Sequence, residues 1–455
     1  MKKNIFLSLI FCICHIAMEA HPYTIEHLSI EKGLSNNFVK DIIQDKQGFI
    51  WVATESGLNC FDGSGFTTYT THDSSLTGNA LNTLLYDEDR DRIWIGGKFE
   101  GLDYFDCSTG QISQCPSLRK HTFENVVHLS LATDSGLWVT PHHSDILYYD
   151  TYHQTFSSLS DKGIKLESNS HWCTFDDGNG LLYIGHAQNG MTIVNLKSKS
   201  VRHFSNDPND STSLPGNSVY TILKDYMGNI WVGTNQGLGL FNAKTNKFTV
   251  FRHQQENPYS LVADHIYDIK EMDDQKLWIA TDIGGISILD LHSITLIDAS
   301  KVSFYNITAD NSTYGVSSNN IRSLLQDSFG NIWIGNYSSG INFISHTPKM
   351  FNVLPYLNNK GEYLKYKSVW GIYKDTQDQL WLGGENELAL FQKDKLIKTF
   401  DISSYLSRPY GQIFSIIGDG QNILLLGIYD DGLLKFNIRS KHLSLIHISE
   451  PTRQA

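Results

Sequence analysis

Apolar and polar residues alternate in short runs along most of this chain, and glycine, asparagine or aspartate ends each run before a helical period can develop. In "VKDIIQDKQGFIWVATESGLNCFDG" (Val39 to Gly63) a six-residue run reaches Asp45, a turn carries Gly48, and the strand "IWVAT" follows. A second turn at Gly57 leads into "GLNCF", and an "FTTY"-like segment closes the unit. Glycine supplies the positive φ that such tight turns require. The pattern predicts four antiparallel strands per unit.

The unit repeats. Aligned on its central aromatic it places Trp51, Trp94, Trp138, Tyr183, Trp231, Trp278, Trp333 and Trp381, with Leu425 in a ninth, worn copy. Neighbouring copies lie 43 to 55 residues apart, the period of propeller blades. Units open on an Asn-x-apolar step (Asn37 to Val39, Asn217 to Val219, Asn319 to Ile321), and the first strand runs to an Asp such as Asp45, Asp87, Asp225, Asp327 or Asp375. One four-stranded sheet cannot bury both faces, so units must stack face to face, and radial closure removes most exposed edges. The expected fold is all-β: a seven-bladed β-propeller of four-stranded antiparallel blades over residues 22–348, then about two blades of a second propeller over 349–442. "YTIEHLSIEKGLS" (Tyr23 to Ser35) has the form of an outer strand without a blade of its own and is suited to closing the first ring; eight blades in one ring is the competing count.

Composition changes the picture in three places. A net charge of −12 disfavours nucleic acid or an anionic membrane surface as partner. Lys2 and Lys3 precede an apolar run from Ile5 to Met18, with small residues at Ala17 and Ala20, the layout of a signal peptide over residues 1–20 or of an uncleaved anchor. The rest is then exported, and no later stretch reads as a membrane helix. Export permits disulfides, yet Cys107 and Cys115 do not fall opposite each other across "CSTGQISQC", so a bridge there is not favoured. "LSLIHISEPTR" (Leu443 to Arg453) back-translates to a transposase adapter used in library construction, so residues 443–455 are expected to be non-native and the reading frame to continue.

"GLSNNFVKDIIQDKQGFIWVATESGLNCFDG" (Gly33 to Gly63) resembles the first blade of the two-component-regulator propellers. That resemblance implies the periplasmic sensor region of a hybrid two-component histidine kinase of polysaccharide-degrading Gram-negative bacteria. In such receptors two propellers, a β-sandwich and a membrane helix precede kinase, receiver and DNA-binding regions, and the receptors commonly work as dimers. It further implies an oligosaccharide ligand, transcriptional output and no cofactor. A free-standing interaction module and a secreted carbohydrate-active enzyme are the alternatives.

Catalytic and metal signals are weak. "DEDRDR" (Asp87 to Arg92) lacks the glycine and distant Glu of a calcium loop, and zinc would need more ligands than His142 and His143, which on a strand would point apart. Repeat Asp residues read as turn formers. The informative differences lie in the loops after the Trp strands, plain in "TESG" and "TNQG" but altered elsewhere. Blade 2 offers Lys98, Phe99 and Glu100; blade 3 His142 and His143; blade 4 His186 and Gln188 with Trp172 nearby; blade 7 Tyr337. Aromatic faces with directed polar groups suit a sugar ring. In "EYLKYKSVWGIY" (Glu362 to Tyr373), Val369 and Ile372 hold the core phase and Trp370 points the other way.

Overall fold

Every unit folds around one hydrogen-bonded turn. In blade 1 the Asp45 carboxylate accepts from the backbone N–H of Gln47 (3.0 Å) and Phe49 (2.9 Å) through Oδ1, and from the Trp51 indole through Oδ2 (2.8 Å). Asp225 holds Trp231 at 2.9 Å, Asp327 holds Trp333 at 2.9 Å and Asp375 holds Trp381 at 2.9 Å in the same way. One side chain thus shapes the turn and orients the large residue of the next strand. Blade 2 stretches the bond from Asp87 to Trp94 to 3.2 Å across a longer turn, and in blade 3 Trp138 reaches instead to Asp176 of the following blade (3.0 Å).

The computed structural model describes residues 25–99, 101–115, 124–293, 302–309, 315–346, 368–392 and 395–446. The chain divides into two units, Met1–Pro348 and Lys349–Ala455. In the first unit the described residues form seven four-stranded antiparallel sheets. Their first strands, Val39–Gln44, Leu81–Asp87, Val126–Leu131, His171–Asp176, Val219–Lys224, Ile266–Glu271 and Ile321–Gln326, pack each on the next and the last on the first, so they surround a central axis. The seventh sheet takes its outer strand from the start of the chain, where Ile25–Leu28 pairs with Ile341–Ile344. In the second unit two further sheets run Gly371–Lys374 to Lys395–Asp401 and Ile413–Gly418 to His442–Ile446. Leu443 to Ile446 belong to that last outer strand, while residues 1–20, Glu100, most of the second unit's opening stretch and the chain beyond Ile446 lie outside the described residues.

The core sits between blades. Trp51 packs on Phe105 of blade 2 (4.5 Å between rings), Trp94 on Tyr149 of blade 3 (5.6 Å) and Trp333 on Phe61 of blade 1 (5.5 Å). Each fully buried aromatic contributes about 2–3 kcal/mol by removal from water. Gly57 and Gly237 permit this stacking at the opposite end: both have φ +122°, and a Cβ there would come within 2.5 Å of the Tyr69 carbonyl or 2.6 Å of the Phe251 carbonyl. The described cysteines Cys60, Cys107, Cys115 and Cys173 are free thiols.

The first strands do not alternate simply. Val39 and Ile42 are both buried although three residues apart, as are Leu81 and Leu84, Val219 and Ile222, and Ile321 and Leu324. Strict period two would put one of each pair on the wrong face. A β-bulge absorbs the odd residue in all seven first strands, at Lys40, Asn82, Val127, Trp172, Tyr220, Tyr267 and Arg322. One side chain per blade is thereby released from the ladder at the same height.

Asp225→Ala would leave two backbone N–H groups and the Trp231 indole without their acceptor in a buried turn. We expect a loss of about 2–4 kcal/mol of unfolding free energy, and about half of that for Asp225→Asn, which keeps one acceptor oxygen. Chemical denaturation of the two variants checks this; equal, negligible losses would show that the turn forms without the carboxylate.

Candidate functional site at the mouth of the ring

The crossover segments and the loops after the Trp strands emerge at one end of the first unit, and there the bulge residues meet. Trp172 lies 5.5 Å from Tyr220, and Tyr220 lies 4.7 Å from Tyr267, ring to ring. The Arg322 guanidinium stacks 3.4 Å over Tyr267 and 4.5 Å from Tyr337. Lys40 approaches Tyr337 from the other side at 5.3 Å and, with Lys98, grips Glu55 at 3.1 and 2.8 Å. At the far end the His142 ring packs at a tilt against Trp172 (4.2 Å) and His143 (4.1 Å). All seven blades supply the surroundings of this belt, and blades 3 to 7 and 1 supply its contiguous aromatic and cationic arc.

Of the residues singled out in sequence, His142, His143, Trp172, Tyr337 and Lys98 join the belt. His142 and His143 do not point apart, because both sit in the turn after the strand. Phe99 is exposed and lies over Gly78, away from the arc, and Gln188 is exposed on its loop. Glu100 falls outside the described residues. His186 is a correction: strand two of blade 4 continues through it, so it is buried in the blade instead of lying on the loop. Its ring meets His171 at 3.0 Å and Thr192 at 2.7 Å, and Thr192 in turn meets His203 at 3.2 Å. Sequence reasoning missed Lys40, Tyr220, Tyr267, Arg322, His265 and Glu55. The signal was present in the three-residue apolar spacing, which marks the residue between as bulged.

The same device recurs in the second unit. Phe414 occupies the bulge of the last sheet and stacks on Trp370 at 5.0 Å. Val369 and Ile372 are exposed there, contrary to their core phase, since no described sheet covers that face.

Electrostatics divide the site into layers. At the rim, burial acts to raise the Glu55 pKa, but Lys98 and Lys40 outweigh it and hold the carboxyl below its ordinary value. His142 and His265 are both pushed down, chiefly by burial among the rings. One residue below the bulges, side chains bridge neighbouring blades: Asp41 accepts from Leu84 N–H (2.8 Å), Asp268 from Leu324 N–H (2.9 Å), and Ser323 from Ile42 N–H (3.2 Å). These serve N–H groups on the open edge of a neighbouring blade's first strand, where no further strand of that sheet can accept them. Asp41 is raised to about 6 by burial inside the ring, although Leu84 N–H and Lys270 oppose the shift. His128 is lowered to about 4 by burial and by Lys270.

Five buried side-chain polar atoms lack a partner among the described residues: Ser144 Oγ, His171 Nε2, His265 Nε2, Arg322 Nη1 and Asn336 Oδ1. All five lie at this end of the blades. Unpartnered buried groups are rare in folded proteins and are commonly met by water or ligand. A groove of about 600 Å³ opens at the opposite end, between the Asp turns of blades 6 and 7, beside Trp278 and Phe329. Similar grooves recur between blades 3 and 4 and blades 7 and 1, so we read them as crevices of the repeat. No group of three or more potential metal ligands occurs among the described residues. No described helix is long and apolar enough to cross a membrane.

Comparison with known proteins agrees with this anatomy. Residues 33–56, 213–236 and 315–338 match the family model described as two component regulator propeller. Each match spans a bulge residue (Lys40, Tyr220 or Arg322) and an Asp–Trp turn. The crystal structure of the extracellular domain assigned to the hybrid two component system BT3049 from B. thetaiotaomicron is 35% identical and superposes with a TM-score of 0.63, covering 94% of this chain and 55% of that one. Histidine kinase P4 of Formosa agariphila is 34% identical over 97 residues, 20% of this chain and 7% of that protein. The chain thus spans about half of the first relative and a small part of the second. Virginiamycin B lyase from Staphylococcus aureus, at 14% identity and TM-score 0.53 over 71% of this chain and 100% of that one, shares the fold alone.

The buried histidines give the first unit a pH response. Folded-state values near 4 for His128 and His171 and about 3 for His186 lie below their unfolded values, so stability is full above about pH 6.5 and is lost as pH falls towards 4. Asp41, raised to about 6, works in the opposite sense by favouring the native state as it takes up a proton below that pH. His142 and His265, also lowered by burial, add to the histidine effect, and Asp103, Asp268 and Glu271, raised by burial, add to the opposing one. With His128, His171 and His186 the most enclosed histidines, a net loss of stability is expected as pH falls from about 6.5 to about 4. Thermal melts across that range check it; His128→Gln should flatten the slope, and an unchanged slope would show that folding does not lower the His128 pKa.

Proposed function

We propose that this chain, built from the repeats of the two-component regulator propellers, is the exported ligand-sensing region of a hybrid two-component sensor histidine kinase. The observation that carries this reading is the 35% identity to the extracellular domain of such a system across 94% of the chain. The parent protein is then anchored in the inner membrane, with this region in the periplasm, and acts as a homodimer.

The ligand is an oligosaccharide held at the mouth of the first propeller. Trp172, Tyr220, Tyr267 and Tyr337 offer faces on which sugar rings stack, while Arg322, Lys40, Glu55 and His142 offer directed polar groups around them. Every one of these side chains projects from a strand end or short loop pinned to its neighbours, so little ordering accompanies binding. Binding favours one arrangement of the dimeric periplasmic region and shifts the kinase equilibrium by the difference in affinity between the two arrangements. Transcription of carbohydrate-uptake genes is the output.

Calorimetric titration of the whole chain with a panel of plant and host oligosaccharides tests the site. One class should bind, and Trp172→Ala should weaken it about tenfold, the loss of one stacking contact of about 1.4 kcal/mol, without lowering the melting temperature appreciably. In cells carrying the parent receptor the same substitution should raise the inducing glycan concentration by a similar factor. Binding by no sugar in the panel would count against the glycan reading, and binding unaffected by Trp172→Ala would move the site elsewhere.

A further inference from the structure

Around Tyr267 three observations coincide. Arg322 and His265 both pack on its ring, at 3.4 and 4.8 Å, and both face one carboxylate, Asp282, at 3.6 and 3.7 Å. Each keeps one buried nitrogen without a partner, Arg322 Nη1 and His265 Nε2. The next residue, Ile283, is 75% exposed and adopts φ +60°, a conformation that β-branched residues avoid. Its N–H donates to Asn320 Oδ1 (2.9 Å) in the crossover of blade 7, which fixes the strained loop above the belt. Backbone strain held in place by neighbouring elements collects at ligand clamps.

We propose that Arg322 and His265 form a subsite that reads a neutral sugar hydroxyl, with Ile283 as the apolar clamp over the ring that carries it. This rests on the reading of the mouth as a glycan site and deepens it to a ligand class. The Asp282 carboxylate, 3.7 Å from Nδ1, favours the proton on that nitrogen, so the neutral imidazole presents Nε2 as an acceptor, and Arg322 Nη1 presents a donor. A hydroxyl satisfies both, accepting from the guanidinium and donating to the imidazole. A carboxylate accepts only: it would leave Nε2 unserved and would share the single Arg322 guanidinium with Asp282. His265 stays neutral at neutral pH because burial between Tyr220 and Tyr267, together with Arg322, lowers its pKa against the pull of Asp282.

The experiment pairs neutral oligosaccharides with their uronate counterparts (gluco- with glucurono-, galacto- with galacturono-) in calorimetry on the whole chain. A neutral member should bind at least about tenfold more tightly than its uronate partner. His265→Phe and Arg322→Met should each weaken the neutral ligand by about tenfold or more, whereas His265→Gln, whose amide oxygen still accepts, should stay within about threefold and hold that affinity as pH falls, where protonation of His265 in the unaltered chain takes the acceptor away. Ile283→Asn, at ease with positive φ, should raise the melting temperature and weaken binding. Tighter binding of uronates, or unchanged affinity in His265→Phe, overturns the hydroxyl subsite while leaving the glycan site intact. Unchanged affinity in Ile283→Asn overturns the clamp. Should Arg322→Met fail to fold, the contrast between His265→Phe and His265→Gln decides alone. No binding by either series overturns both this subsite and the glycan reading beneath it.

Discussion

A hydrogen bond from a tryptophan indole to an aspartate six residues earlier organises blades 1, 5 and 7 and the first sheet of the second unit, and the remaining blades are variations on it. It joins two otherwise independent requirements of a repeat protein. The turn between first and second strands must close tightly, which the Asp45 carboxylate arranges through the N–H groups of Gln47 and Phe49. The second strand must carry a large side chain into the space between blades, and the same carboxylate serves the one polar atom that this side chain buries. Trp51 can then pack its ring on Phe105 of the neighbour without leaving the indole N–H unserved. Where the turn is redrawn the bond is rerouted: Trp138 borrows Asp176 from the next blade, a cross-link between sheets.

Fixing the blade at the Asp–Trp end leaves the first strand to reconcile its packing with a ring of seven. Its apolar residues, three apart, satisfy the sheets on either side only if one residue is bulged out between them. These first strands are also the open edges of their sheets, and side chains from adjacent blades serve N–H groups there, as Asp41 does for Leu84 and Asp268 for Leu324. A structural necessity thus produces a ring of side chains that no packing demand specifies. Their identities, Lys40, Asn82, Val127, Trp172, Tyr220, Tyr267 and Arg322, vary widely from blade to blade, with only tyrosine repeated, whereas the flanking positions stay aliphatic in every blade but the fourth.

Much of this was legible in sequence, for physical reasons. The Trp-centred period, the four-strand grammar and the glycine turns are local patterns, and local patterns determine an all-β stack of repeats. The altered loops were also visible, and His142, Trp172 and Tyr337 do reach the belt. Two things were not legible. His186 looked like a loop residue because its neighbours Gly185 and Asn189 suggest a turn, yet the strand continues one residue further and buries it against His171. Tyr220, Tyr267 and Arg322 were passed over because they sit within strands that read as scaffold. Their exposure depends on a bulge, and the bulge follows from closure of the ring, which no single blade encodes.

The two ends of each blade therefore answer to different demands. At the Asp-turn end the polar groups are paired by design of the repeat, and variation there threatens the stack. At the mouth, pairing is incomplete: five buried polar atoms stand without partners among the described residues, and Ile283 holds a conformation that glycine would adopt freely. Selection for stability alone would remove such features, since Val or Leu in place of His171, as in most other blades, and Gly or Asn in place of Ile283 would be easier to accommodate. Their concentration at one end, on the arc where aromatic and cationic side chains converge, is the pattern expected when a site trades stability for recognition.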